Sequence, residues 1–143
     1  MTLIPGDPLA HRALESLLVA EANVRRRLSL DLEREGLSST GFFVLAVLET
    51  AGGELELRTL RRRLQTSKAN ATEVVDTLAA RGLVSRHRLA SDRRAVAVTL
   101  EPGGREIVDR LFPEHTQRVA RTFAVLDEAE KRSLAQICRK LAA

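Results

Sequence analysis

The sequence predicts a mainly α (α+β) fold, a succession of helices broken by one two-stranded hairpin. Three observations lead there. The packing residues are chiefly Leu and Ala, with four Phe, no Tyr and no Trp. Leu and Ala favour helices, whereas aromatic and β-branched residues favour strands. Apolar residues recur every three or four positions along most of the chain, and strict alternation appears in AVAVTL, residues 95–100. Gly36, Gly52, Gly53 and Gly82 stand where periodic stretches stop. A length of 143 residues suits one domain, or one domain with a helical extension.

Residues 8–35 form the first helical stretch, with Leu9, Ala13, Leu17, Ala20, Val24 and Leu28 as its stripe. Asp7 is placed to cap it, and Pro8 suits the first helical position. Leu14 and Leu18 widen the stripe beyond what one small domain covers, so this helix is expected to pack on two sides, one of them against a second subunit. A second helix spans 39–51, capped by Ser38 or Ser39 and stopped by the glycine pair. Residues 54–56 allow only a minor strand. Residues 57–64 read as a short helix with Leu57, Leu60 and Leu64 inward and arginines outward. Thr66 or Ser67 caps the next helix, which runs to Arg81 and buries Ala71, Val74, Val75 and Leu78.

Residues 83–87 and 95–100 are strands joined by a long loop, LASDRR. Helical spacing returns over 102–124, where Pro113 is expected to kink or interrupt the helix. Asp127 and Glu130 have capping-box spacing. They open a last helix whose buried stripe is Leu134, Ile137, Cys138 and Leu141.

Helix, turn and helix over 57–81 followed by a hairpin make a winged helix-turn-helix. In that arrangement the second helix enters the major groove of double-stranded DNA, where base edges differ in donors and acceptors. Ser67, Lys68, Ala69, Asn70, Thr72 and Glu73 are the residues expected to meet DNA. Ala69 is small enough for close approach, Lys68 reaches phosphate or guanine, and Asn70 and Thr72 hydrogen-bond bases or backbone. Glu73 either accepts from cytosine or pairs with an arginine. The hairpin would lie over the neighbouring minor groove, which favours an inserted Arg. Its expected contacts are Arg86, His87, Arg88, Asp92, Arg93 and Arg94. Ordering a free Arg costs about 1–2 kcal/mol of side-chain entropy. Asp92 is expected to lower that cost by holding Arg93 or Arg94 in a charge-assisted fork.

Charge agrees with this placement. The net charge is +4, but residues 58–94 hold ten Lys/Arg against three acids, while the rest of the chain holds thirteen against sixteen. A basic centre between mildly acidic flanks points to a polyanion. No run reaches the ~18 apolar residues of a membrane span, and MTLIPGDPLAH lacks the pattern of a signal peptide. The chain is therefore expected in the cytoplasm. A single cysteine excludes an internal disulfide and a Cys-rich zinc site.

The segment GLVSRHRLASDRRAVAVTLEPGGREI resembles the wing signature of the MarR family of transcriptional regulators, with Asp92 and Arg94 on its Asp-x-Arg. GLSSTGFFVLAVLETAGG resembles that family's second helix and LQTSKANATEVVDTLAARG its recognition helix. The resemblance covers about residues 9–142. It implies a homodimer held by the first and last two helices, bound as a repressor to a palindromic operator and released by a small-molecule effector. Residues 1–36 and 102–143 would be the dimerisation region and 37–101 the DNA-binding domain. Arg61 departs from the family's usual Ala, Gln65 from the Gly common in the turn, and Glu101 from the usual Thr. The family often has a basic or polar residue near Glu73.

Apolar surplus on the terminal helices independently suggests a twofold partner, because a winged helix needs only about 60–80 residues. A ligand pocket is expected where the long helices meet the reading domain, with His11, Arg12, Phe43 and Phe112 as candidate lining. Cys138 is a candidate oxidant sensor, but its stripe position favours a core thiol. His11, His87 and His115 have no metal-ligand spacing. No nucleophile–base pair or phosphate loop suggests an enzyme, and no cofactor is expected. A winged helix used for protein contact is the remaining alternative.

Overall fold

The structure, a computed structural model, describes residues 6–143. Residues 1–5, part of the stretch read above for a signal peptide, lie outside the described residues. The elements in chain order are α1 (Pro8–Arg34), α2 (Ser39–Thr50), β1 (Glu54–Glu56), α3 (Leu57–Leu64), α4 (Lys68–Ala80), β2 (Val84–Arg88), β3 (Val96–Leu100), α5 (Pro102–Thr122) and α6 (Glu128–Ala142).

Capping explains most helix starts. The Asp7 carboxylate accepts the N–H groups of Leu9 and Ala10 at 3.0 and 3.1 Å. Ser38, rather than Ser39, caps α2 by accepting from the Gly41 N–H at 3.0 Å. Ser67, rather than Thr66, caps α4 through the Asn70 N–H at 3.1 Å. Asp127 and Glu130 form the complete reciprocal capping box of α6. Between α3 and α4, Gln65 takes the left-handed conformation at φ 50°. A non-glycine residue there is mildly strained, and the N–H groups of Gln65 and Thr66 close the end of α3 on the carbonyls of Arg62 and Arg61.

The three strands are antiparallel in the order β1-β3-β2. The minor strand pairs with β3 through Leu55 opposite Val98, while Arg86 faces Val98 from the other side. Three strand boundaries differ from expectation, β2 also running one residue further, to Arg88. Leu83 lies in the turn between α4 and β2, where its N–H bonds the Leu78 carbonyl and its own carbonyl takes the Glu101 N–H. Ala95 belongs to the wing tip, its N–H bonding the Asp92 carbonyl. Helix α5 runs uninterrupted through Pro113. Pro113 and Asp109, whose carbonyl loses its donor, are both exposed, so water can take that hydrogen bond.

The core is built around α2, whose Val44, Leu45 and Leu48 are fully buried. Leu32 of α1, Leu60 of α3, Val75 of α4, Val98 of β3 and Val108 of α5 close around them. Helix α1 otherwise buries nothing, and α6 buries no residue. The expected buried stripe of α6 is therefore open in the single chain: Ile137 is 53% exposed, Leu141 68%, and Cys138 is also exposed. Among the described residues no element covers that stripe, and Cys138 is exposed rather than a core thiol of the single chain.

Helix α5 begins close against the α4–β2 corner. A β-carbon added to Gly104 would stand 2.3 Å from the Leu83 carbonyl oxygen and 2.7 Å from Leu100 Cδ1, whereas at Gly103 the nearest atoms are 3.7 Å away. Gly104→Ala is expected to lower stability by about 1–3 kcal/mol through overpacking. Gly103→Ala should leave the thermal midpoint nearly unchanged, so a pair of melts checks the contact.

Candidate nucleic-acid interface

Helix α4 is anchored by Ala71, Val75 and Leu78 and turns its opposite side to solvent. Lys68, Ala69, Thr72 and Glu73 share that open face with Asp76 and Thr77. Ser67 and Asn70 do not. The Ser67 hydroxyl is engaged as the cap. The Asn70 amide donates to Thr66 Oγ1 at 2.7 Å, and its side chain borders a crevice facing Gly41 and Arg81. Asn70 therefore braces the turn while remaining exposed, at a position between the open and buried faces of the helix. Glu73 makes no ion pair among the described residues. The acid–arginine pair of this helix comes at Asp76, with Arg86 of β2.

The wing is ordered by its backbone. The Asp92 carboxylate accepts the Arg94 N–H at 2.9 Å, and the Arg88 guanidinium donates to the Arg93 carbonyl at 2.7 Å. Asp92 makes no guanidinium fork with Arg93 or Arg94 among the described residues, which corrects the expected pairing. A short acid two residues before an N–H meets that group most readily in a turn. Alternation along β2 places Arg86 and Arg88 on one side and His87 on the other. His87 Nε2 lies 3.1 Å from Glu54 Oε1 of β1, an oxygen that also accepts from Thr99 Oγ1 at 2.8 Å. His87 thus faces an acid across the sheet instead of joining the wing arginines.

Lys68 and Thr72 of α4, Arg88 and Arg94 of the wing, and Arg58 and Arg61 of α3 line one groove of about 580 Å³. Sequence reading placed the α3 arginines on the outside but did not bring them to this site. The signal was there: Leu57, Leu60 and Leu64 set the buried face, but the rotation of α3 relative to the wing comes only from the packed fold. Arg81 was likewise missed. Its guanidinium donates to the Glu35 and Gly36 carbonyls at 2.8 and 3.1 Å, tying the end of α4 to the end of α1. Glu35 also receives Arg110 of α5 at 2.5 and 3.2 Å, and the hydrogen bond from Arg110 holds its carboxyl below the usual range.

On the opposite side of α2, a cavity of about 540 Å³ opens between α1, α2 and α5. Phe43 and Phe112 line it, as expected, together with Leu28 and Leu32. His11 and Arg12 are not among its lining residues, because they lie near the start of α1, about three turns before Glu21, where the cavity begins. Glu21, Arg25, Ser39, Thr50 and His115 bring polar groups to the cavity, and the His115 ring centroid lies 4.9 Å from that of Phe42. Its Nδ1 and the neighbouring Arg118 Nε are buried without partners among the described residues. Arg118 pairs with Asp31 at 2.6 Å. Burial holds the His115 imidazole below its ordinary value, Arg118 adds to the shift, and Asp31 opposes it.

A helix-turn-helix of α3 and α4, a β2–β3 hairpin and a cation-lined groove between them define a winged helix-turn-helix protein. The MarR family profile matches residues 37–96. An uncharacterized HTH-type transcriptional regulator of Bacillus subtilis (strain 168), YkoM, is 33% identical over 129 residues, covering 90% of this chain and 79% of that protein. The chain belongs to the MarR family of transcriptional regulators. The transcriptional repressor MprA of Escherichia coli (strain K12) is 31% identical over 111 residues, 77% of this chain and 63% of that protein. Bordetella bronchiseptica BpsR, solved to explain regulation of its DNA binding by 6-hydroxynicotinic acid, superposes with a TM-score of 0.78 at 26% identity, covering 92% of this chain and 99% of that one. The family read from the wing and helix motifs is thus the family found.

His115 generates a pH prediction. Its folded-state pKa is depressed, so the unfolded chain takes up the proton first, near 6.5. The stability that His115 contributes is complete above that value and is lost as pH falls below it. Thermal midpoints measured down the acid side should decline, and His115→Gln should remove that part of the slope. An equal slope in the variant would assign the loss to other groups.

Proposed function

We propose that this protein is a dimeric repressor that grips a palindromic DNA operator with α4 and the β2–β3 wing and lets go when a small molecule fills the α1–α2–α5 cavity. The observation that carries this reading is the clustering of cations from the open face of α4 and the wing around one groove. Lys68 and Thr72 are set to meet the major groove, and Arg93 and Arg94 the adjacent minor groove. The Asp92–Arg94 backbone contact and the Arg88–Arg93 contact hold the wing tip ready, so less is lost on binding. Cytosine is then the target for Glu73, which pairs with no arginine among the described residues. BpsR, whose DNA binding is regulated by a small molecule, supports the overall scheme, and MprA supports repression.

The bare apolar faces of α1 and α6 support a dimer held by α1, α5 and α6, with residues 37–101 as the DNA-binding unit. The cavity lies within the ~300–1,000 Å³ range of small-molecule pockets. Its wall supplies the coupling. Leu28 and Leu32 line the cavity, and a few residues on, the carbonyls of Glu35 and Gly36 hold Arg81 at the end of α4. A ligand that displaces the end of α1 therefore displaces the reading helix. The protein works in the cytoplasm by binding and performs no bond chemistry.

Selection from random DNA is expected to enrich paired, inverted half-sites about one helical turn, roughly 10 base pairs, apart. Arg94→Ala should weaken binding to the selected duplex by about tenfold or more and leave the melt unchanged. Failure to enrich any inverted repeat, or wild-type binding by Arg94→Ala, would count against the reading. Asp92→Ala should weaken binding less than Arg94→Ala, because it loosens the tip without removing its charge; an equal or larger loss would show that Asp92 does more than order the turn.

A further inference from the structure

We propose that the groove between α3, α4 and the wing seats one DNA strand by its phosphates, and that Arg61 of α3 is a phosphate contact within it, with Arg58 beside it. The proposal rests on the DNA-binding reading and extends the contact surface to a helix that the reading does not use. Geometry is the first reason. A duplex with α4 in its major groove and the wing in the adjacent minor groove must pass the intervening sugar–phosphate strand between the two elements. The groove of about 580 Å³ occupies that place. Arg58 and Arg61 are three residues apart on α3, hence on one face, and both border the groove together with Arg88 and Arg94.

Charge is the second reason. Among the described residues, Arg61, Lys68, Arg88 and Arg94 have no carboxylate in ion-pair range. Arg58 has only a loose approach to Glu56, at 3.9 Å. Arg86 also borders the groove but is taken by Asp76, and Glu56 is the acid among the groove's lining residues. Four unpaired cations around one groove repel one another, and a polyanion laid between them relieves that repulsion. A guanidinium fork suits phosphate oxygens, and phosphate contacts position a duplex without reading its sequence.

The test measures binding against salt concentration for two duplexes, the one selected from random DNA and a scrambled duplex of the same composition. Each phosphate contact contributes about 0.9 to the slope of log affinity against log salt. Arg61→Ala should therefore flatten the slope by about 1.8 for a dimer, equally on both duplexes. Affinity should fall by the same factor on each, on the order of tenfold, without any drop in thermal midpoint. Arg61→Lys should restore most of the slope. An unchanged slope in Arg61→Ala beside a binding wild type overturns this assignment alone, as does a loss confined to the selected duplex, which would make Arg61 a base contact. A wild type that binds neither duplex overturns the DNA-binding reading, and this one with it.

Discussion

Everything in the protomer is arranged about one helix that water does not reach on most sides. Helix α2 carries Phe42, Val44, Leu45, Val47 and Leu48 in its buried set, too many apolar groups for one amphipathic stripe. Such a helix has to be wrapped, and α1, α3, α4, the sheet and α5 do the wrapping. Close-packed interiors transmit displacement rather than absorbing it. Consequently the cavity at Phe42 and Phe43 and the inner face of α4 at Val75 and Leu78 sit on one rigid body. Helices α2 and α4, packed on one another, lie between the two sides of the molecule, one apolar and concave, one cationic and exposed.

Electrostatics divides the arginines into two populations. Arg81, Arg86, Arg110 and Arg118 are committed to carbonyls or carboxylates of neighbouring elements and join the reading helix, the wing root and α5 to the body. Arg61, Arg88 and Arg94 have no acid partner among the described residues and gather at the groove. Exposed ion pairs contribute little stability each, roughly 0–1 kcal/mol, so the first population acts mainly by fixing relative positions. The second population works against the free protein and in favour of a bound polyanion. The two roles sit two residues apart on β2, where Arg86 and Arg88 both border the groove but only Arg86 is tied to an acid.

The terminal helices show the complementary imbalance. Leu9, Leu18, Ile137 and Leu141 are each more than half exposed in the single chain. Scattered exposed apolar residues need no explanation, but rows of them on helices with no covering element mark an association surface. The early turns of α1 and the whole of α6 thus lie outside the core that α2 organises.

Helix positions, caps, the hairpin and the basic centre were legible in the residues, because each depends on neighbours within about one turn or on period alone. The capping box at Asp127 and Glu130 and the glycine stop at Gly82 are of this kind. The roles of Asp92, His87, Asn70 and Cys138 were not legible. Asp92 had a choice between two guanidinium groups and one N–H, and the turn geometry decided it. His87 found Glu54, a residue thirty-three positions away that only sheet pairing brings near. His115 stood in an ordinary helical stripe until α1 and α2 closed a cavity beside it, and His11, on the same α1 that borders the cavity, fell about three turns short of it. The sequence by itself determined the elements, their order and the sign of their charge, since these follow from short-range propensity and composition. Only the tertiary structure decided which cations stay unpaired and which face the same groove, since a partner is chosen by distance in space and the chain does not carry that distance in its order.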